Sequence, residues 1–162
     1  MTDSEVKAAL VDRSVLAITL WAEARGDWRE GHSSLEERVA VGCVVRNRLP
    51  RYTAFRAVEP TWRAVCLAPL QFSCWQRVGG AANYSAVMTL ATRIVEGFPV
   101  DDPLFAETLY LADGIMAGVI LDVTGGATHY YAPKAMRPAG KIPTWAQGKP
   151  TRAIGDQLFL NA

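Results

Sequence analysis

The chain has 162 residues, half of them apolar, and that length supports one globular domain, residues 1–162, burying roughly 70% of its unfolded surface. With 17 Lys and Arg against 16 Asp and Glu, the formal net charge is +1, which argues against the basic excess of a nucleic-acid binder. No apolar stretch approaches the roughly 20 residues needed to cross a bilayer, so no stable membrane insertion is expected.

At the start, Thr2 and Glu5 have capping-box spacing. The apolar positions Val6, Ala9, Leu10, Leu16 and Leu20 then carry a helical reading to a stop at Gly26, as one helix with a restart near Asp12 left open. The acidic Met1-Thr2-Asp3-Ser4-Glu5 lacks the basic segment and apolar core of a secretory signal, so synthesis in the cytoplasm is expected. Ser34 and Glu37 form a second capping box ahead of Val39-Ala40-Val41-Gly42-Cys43-Val44-Val45, a helix predicted to be central and to end before Pro50. Arg46 and Arg48 fall in its last turn, where cations complement the helix dipole.

From Tyr52 to Gly80 the periodicity is lost, with Pro60, Pro69 and Gly79-Gly80 as punctuation, and an irregular, aromatic-rich region is predicted. Helices follow at about 82–96 and 103–117, the second capped by Asp102 and opened by Pro103. Val119-Ile120-Leu121 and Thr128-His129-Tyr130-Tyr131 have strand composition around the turn pair Gly125-Gly126. The proline-rich tail ends in Leu158-Phe159-Leu160, expected to dock on the core. Together the elements read as α+β, mainly helical, with a small β element.

Cys43, Cys66 and Cys74 form an odd set, so at least one thiol stays unpaired within the chain. Cys43 sits in an apolar helical run and reads as a core thiol. Cys66 and Cys74 flank a short loop, and both a pairing worth roughly 2–3 kcal/mol and two free thiols stay open. His32 and His129 belong to no zinc spacing, so no metal and no cofactor are expected. A cysteine hydrolase with His129 as base competes poorly with the core and disulfide readings of the thiols.

Glu23 follows Leu20 by three residues and Leu16 by seven, which puts its carboxyl on an apolar helix face. Burial and the negative end of the helix dipole both disfavour ionisation there. A carboxyl that keeps its proton near neutral pH can act as a general acid. The bland alternative, an ion pair with Arg25 or Arg46 or a solvated glutamate, is the reading that spacing alone favours.

The run Ala22-Glu23-Ala24-Arg25-Gly26-Asp27, with Gly31 and the helix through Arg46-Asn47-Arg48, resembles the opening of the SleB-like cell-wall hydrolases, the spore-cortex-lytic enzyme family. Gln71-Phe72-Ser73 with Trp75 resembles the family's central motif, and Gly126-Ala127-Thr128-His129-Tyr130-Tyr131 its later one. Trp145 and Ile154-Gly155 fit the closing segment. Asp27 departs from the family's usual glutamate, and Gln157 from its usual histidine.

The resemblance implies a lysozyme-like fold acting on peptidoglycan glycan strands at the bond between N-acetylmuramic acid and N-acetylglucosamine. It implies Glu23 as the catalytic acid of a lytic transglycosylase that leaves 1,6-anhydro ends, with Gln71, Ser73, Trp75, Thr128 and Tyr130 toward substrate. Trp62, Tyr84, Tyr131 and Trp145 also offer flat surfaces suited to sugar rings. Two alternatives stay open: a muramidase-type hydrolase with Asp27 or Glu30 as second carboxylate, and a noncatalytic glycan-binding module. A monomer is expected, as is a phage-endolysin setting in which a membrane lesion admits the enzyme to the cell wall or periplasm.

Overall fold

The computed structural model describes residues 1–26, 28–77 and 81–162, which leaves Asp27 and the expected Gly79-Gly80 punctuation outside the described residues. The fold is mainly helical α+β. Its helices are α1 (Asp3–Ala9), α2 (Asp12–Arg25), α3 (Leu35–Arg48), α4 (Trp62–Leu67), α5 (Ala81–Val95) and α6 (Pro103–Met116). Its strands β1 (His129–Tyr131), β2 (Arg152–Ile154) and β3 (Gln157–Leu160) form an antiparallel sheet in the order β1-β3-β2.

The expected N-terminal helix is two helices. Leu10 leaves the helical region at φ −74°, ψ 140°, and α2 begins at Asp12, the restart left open by the sequence. The Asp12 carboxylate accepts from the backbone N–H of Arg63 at 3.0 Å, which ties the start of α2 to α4. Both capping boxes form, Thr2 with Glu5 and Ser34 with Glu37, and each satisfies backbone donors that a helix start leaves free.

α2 is the axle of the molecule. Val15, Leu16, Ala17, Ile18, Leu20 and Ala22 are all fully buried, because α3, α4, α5 and α6 pack around this helix on several sides. That explains its poor amphipathicity: a helix covered all round has no polar stripe. Gly42 on α3 lets α6 approach closely, since a β-carbon there would collide with the tip of Ile115.

Two elements differ from expectation. The stretch read as irregular contains α4, whose N-terminus is capped by the Thr61 hydroxyl accepting from Ala64 N–H at 3.2 Å. Val119-Ile120-Leu121 is a loop and not a strand. Arg46 explains the loop: its guanidinium donates to the carbonyls of Ile115 at 3.3 Å and Ile120 at 2.7 Å, drawing the chain back onto the end of α6.

The tail does dock, as β3 with Phe159 and Leu160 buried. The β2–β3 hairpin turns at Gly155, whose φ of +58° places it in the left-handed region, with the Glu37 side chain where a β-carbon would stand. Gly155→Ala is therefore expected to lower stability by about 1–3 kcal/mol through strain and overpacking, measured as a shifted urea midpoint at unchanged slope.

Candidate active site

Glu23 lies in the last turn of α2 and keeps partial solvent access while its neighbours Ala22 and Ala24 are fully buried. The Tyr130 hydroxyl, from the middle of β1, donates to its Oε2 at 2.8 Å. Burial pushes the Glu23 carboxyl above the ordinary glutamate range, against the opposing pull of the Tyr130 hydrogen bond and of the Arg29 and Arg48 charges. Its place at the C-terminal end of a helix adds to the cost of ionisation. Such a group can hold a proton and release it to an acceptor that gains basicity during reaction.

Arg48, the last residue of α3, organises the other side. It is 6% exposed, its Nε donates to the Thr128 carbonyl at 2.8 Å, and its Nη1 donates to Gln71 Oε1 at 3.4 Å. Its guanidinium lies over the rings of Phe55 and Phe72, with 4.6 and 5.2 Å to the ring centroids. Gln71, Thr128 and Tyr130 are thus brought together with Glu23 from three separate parts of the chain.

The remaining residues singled out by sequence fall differently. Ser73 is exposed on the 3-10 turn Ser73–Trp75. Thr128 is 3% exposed, and its hydroxyl meets His129 Nδ1 at 3.0 Å and Asn161 Oδ1 at 3.3 Å, so it braces the strand. Trp75 corrects the expectation of a sugar platform: it is 2% exposed, with its indole N–H donated to the Thr19 hydroxyl at 2.9 Å. Thr19 in turn bonds the Val15 carbonyl, so Trp75 fills the space behind the site and closes the core around α2.

Among the other aromatics, Tyr84 is buried, with its hydroxyl donated to Asp3 at 2.6 Å. Trp145 retains 42% exposure, set edge-on to Tyr131 and 5.1 Å from the His129 ring. Glu30 is exposed, and Asp27 lies outside the described residues. The open clefts along α5, of about 720 and 600 Å³, are lined by Arg93, Thr89 and Ser85 and do not contain Glu23.

All three cysteines are buried and unbonded. Burial pushes the Cys66 thiol up to about 12 and raises Cys43 and Cys74 as well, so none is poised as a thiolate nucleophile. Burial, then the Arg48, Lys149 and Arg51 charges, hold His129 down to about 4, leaving a neutral imidazole at neutral pH. Among the described residues no cluster of three or more His, Cys, Asp or Glu side chains is disposed to hold a metal.

Two residues of the site lie beyond the sequence expectations: Arg48, which reads there as a helix-end cation, and Arg29. A signal for Arg48 was present: it follows Val44 by four residues and Val41 by seven, so it shares their buried face. Arg29 carried no such signal, because its partner Glu37 is reached only through the loop leading to α3.

The profile of the cell wall hydrolase family matches residues 32–160 of the chain, with Glu23 ahead of the matched span. No curated protein and no solved structure matches it. The match takes in α3, the 3-10 turn bearing Ser73, and all three strands of the sheet, and on that coverage the chain belongs to the cell wall hydrolase family.

Proposed function

We propose that the protein is a peptidoglycan lytic transglycosylase that cleaves the bond between N-acetylmuramic acid and N-acetylglucosamine, with Glu23 as its single acid and base. The observation that carries this reading is Glu23, a half-buried residue whose carboxyl is raised by burial and held by Tyr130 at 2.8 Å. Membership of the cell wall hydrolase family supports peptidoglycan as the substrate.

Glu23 gives its proton to the glycosidic oxygen, the bond from that oxygen to the muramic acid C1 breaks, and N-acetylglucosamine leaves with a free 4-hydroxyl. The Glu23 carboxylate then takes the proton from the C6 hydroxyl as O6 bonds to C1. Glu23 ends protonated, as it began, and no water enters the balance. Tyr130 fixes the carboxyl through both halves, and Gln71 and Ser73 offer polar contacts to sugar substituents.

A hydrolase would instead need a second carboxylate to activate water or attack the sugar. Among the described residues the charged groups acting on Glu23 are cations, Arg29 and Arg48, which supports the one-carboxyl scheme. Digestion of purified peptidoglycan in 18O-water checks the choice by mass spectrometry. Anhydro-muramic ends without heavy oxygen are expected; reducing ends carrying 18O would replace the transglycosylase with a muramidase.

A further inference from the structure

Arg48 is a buried cation without an acid of its own among the described residues. Arg13, Arg29, Arg38 and Arg77 each have a carboxylate partner, in Asp113, Glu37, Glu107 and Asp3. Arg48 is 6% exposed, yet among the described residues no carboxylate lies within ion-pair distance of it. Its donors go to a backbone carbonyl and an amide oxygen, and its faces are covered by Phe55 and Phe72. A desolvated guanidinium left in this condition is costly, and its field is weakly screened. The carboxyl group that feels that field is Glu23.

We propose that Arg48 is a positioning residue of the cleavage reaction, whose fixed charge stabilises the Glu23 carboxylate once its proton has left. The same side chain, through the Thr128 carbonyl, holds β1 where Tyr130 meets Glu23. This inference rests on the assignment of Glu23 as the acid. A direct ion pair would strip Glu23 of its proton at rest; a guanidinium held off on Thr128 and Gln71 leaves the resting acid protonated and lowers the cost of its ionised state.

The titratable and charged groups around Glu23 are consistent with that division. Tyr130 faces it from β1, Arg29 from beyond the end of α2, Cys66 from α4, Cys74 from the 3-10 turn, and Arg48 from α3. The two thiols and the phenol stay neutral, and the Arg29 charge, which also acts on Glu23, is paired with Glu37. Among the described residues, Arg48 acts on Glu23 without a carboxylate at ion-pair distance.

The test is a titration of Glu23 by carbon-detected NMR on protein labelled at its glutamate carboxyls, with the Glu23 signal assigned from Glu23→Gln. Arg48→Met should move the Glu23 midpoint up by about one pH unit, as expected for losing a nearby opposite charge. Arg48→Lys, which keeps the charge, should hold it close to wild type. In cleavage assays kcat should fall by about tenfold for Arg48→Met with KM little changed, the rate equivalent of that shift. An unmoved midpoint in folded Arg48→Met overturns the proposal. If Arg48→Met does not fold, Arg48→Gln, which removes the charge and keeps a donor for the Thr128 carbonyl, decides: a midpoint raised by about one unit supports the proposal, and an unmoved one overturns it. The titration reads Glu23 whether or not the protein cleaves peptidoglycan, so failure of the activity and failure of this inference are distinguishable.

Discussion

Glu23→Gln is expected to leave suspensions of purified cell wall turbid while making the protein more stable at neutral pH. Loss of a positioned general acid costs typically about 10²–10⁴-fold in rate, and here one carboxyl serves both proton transfers, so the upper end applies. Stability should move the other way. The folded pKa of Glu23 is raised by burial, so its contribution to stability is fully present below the unfolded value and is lost as pH rises through the folded one. Glutamine cannot ionise, and it keeps a carbonyl for the Tyr130 hydroxyl.

Thermal unfolding at pH 7 and at pH 4 reads this directly. The variant should melt higher than wild type at pH 7, and the gap should narrow toward pH 4, just below the unfolded glutamate value of about 4.3, where Glu23 is largely protonated in both states. Clearing at the wild-type rate by Glu23→Gln would remove Glu23 from the mechanism. A variant that is inactive and also melts lower at pH 7 would mean that the carboxylate serves the fold.

Glu37→Ala should produce the largest loss of stability, about 3–5 kcal/mol, because it breaks one half of a buried ion pair. The side chains of Arg29 and Glu37 are 5% and 3% exposed, and the guanidinium is in direct contact with the carboxylate. Glu37 also closes the capping box with Ser34, accepts from Asp156 N–H at 3.3 Å and from Gln157 Nε2 at 3.5 Å. Without it Arg29 would be a buried charge left with only the half-exposed Asp156, at 4.0 Å, as an acid among the described residues, and its Nε is already a buried donor without a partner there.

Denaturant titration measures the loss. Acid unfolding gives an independent check. Burial alone would raise the Glu37 pKa, but the Arg29, Asp156 and Ser34 hydrogen bonds outweigh it and hold the group below the ordinary glutamate range. A depressed folded pKa means that the stabilisation is present above the unfolded value, about 4.3, and is lost as pH falls through the folded one. Wild type should therefore lose stability steeply below that range, and Glu37→Ala should lack this part of the acid transition. An unchanged urea midpoint would show the pair to be dispensable.

This pair also matters to the site. It anchors the segment after α2 to α3 and, through Asp156 and Gln157, to the β2–β3 hairpin. Freed from Glu37, the Arg29 charge would act on Glu23 at full strength and favour its ionised form at rest.

Much of the helical scaffold was legible because its signals are local. A capping residue, a proline at the first turn or a glycine after the last acts within one turn of backbone, and Ser34, Glu37, Asp102 and Pro103 form the caps that their spacing predicted. The position of Glu23 on an apolar face was legible for the same reason. The helix α4 was missed because its apolar residues span too few turns to show a period, and its cap, Thr61, stands beside Pro60. Val119-Ile120-Leu121 misled because strand composition says nothing about a partner, and Arg46 takes the Ile120 carbonyl that a neighbouring strand would need.

Local signals in the chain sufficed for the caps of α1, α3 and α6, for a glutamate sharing a face with buried leucines, and for the order of blocks that resembles a wall-lytic family. Tertiary packing settled that Trp75 turns inward to Thr19, that Tyr130 reaches Glu23 from 107 positions away, and that Arg48 donates to the Thr128 carbonyl. The physical reason is range: caps and periodicity are satisfied by neighbours along the chain, whereas burial, field and hydrogen-bond partners depend on which distant segments close over a face.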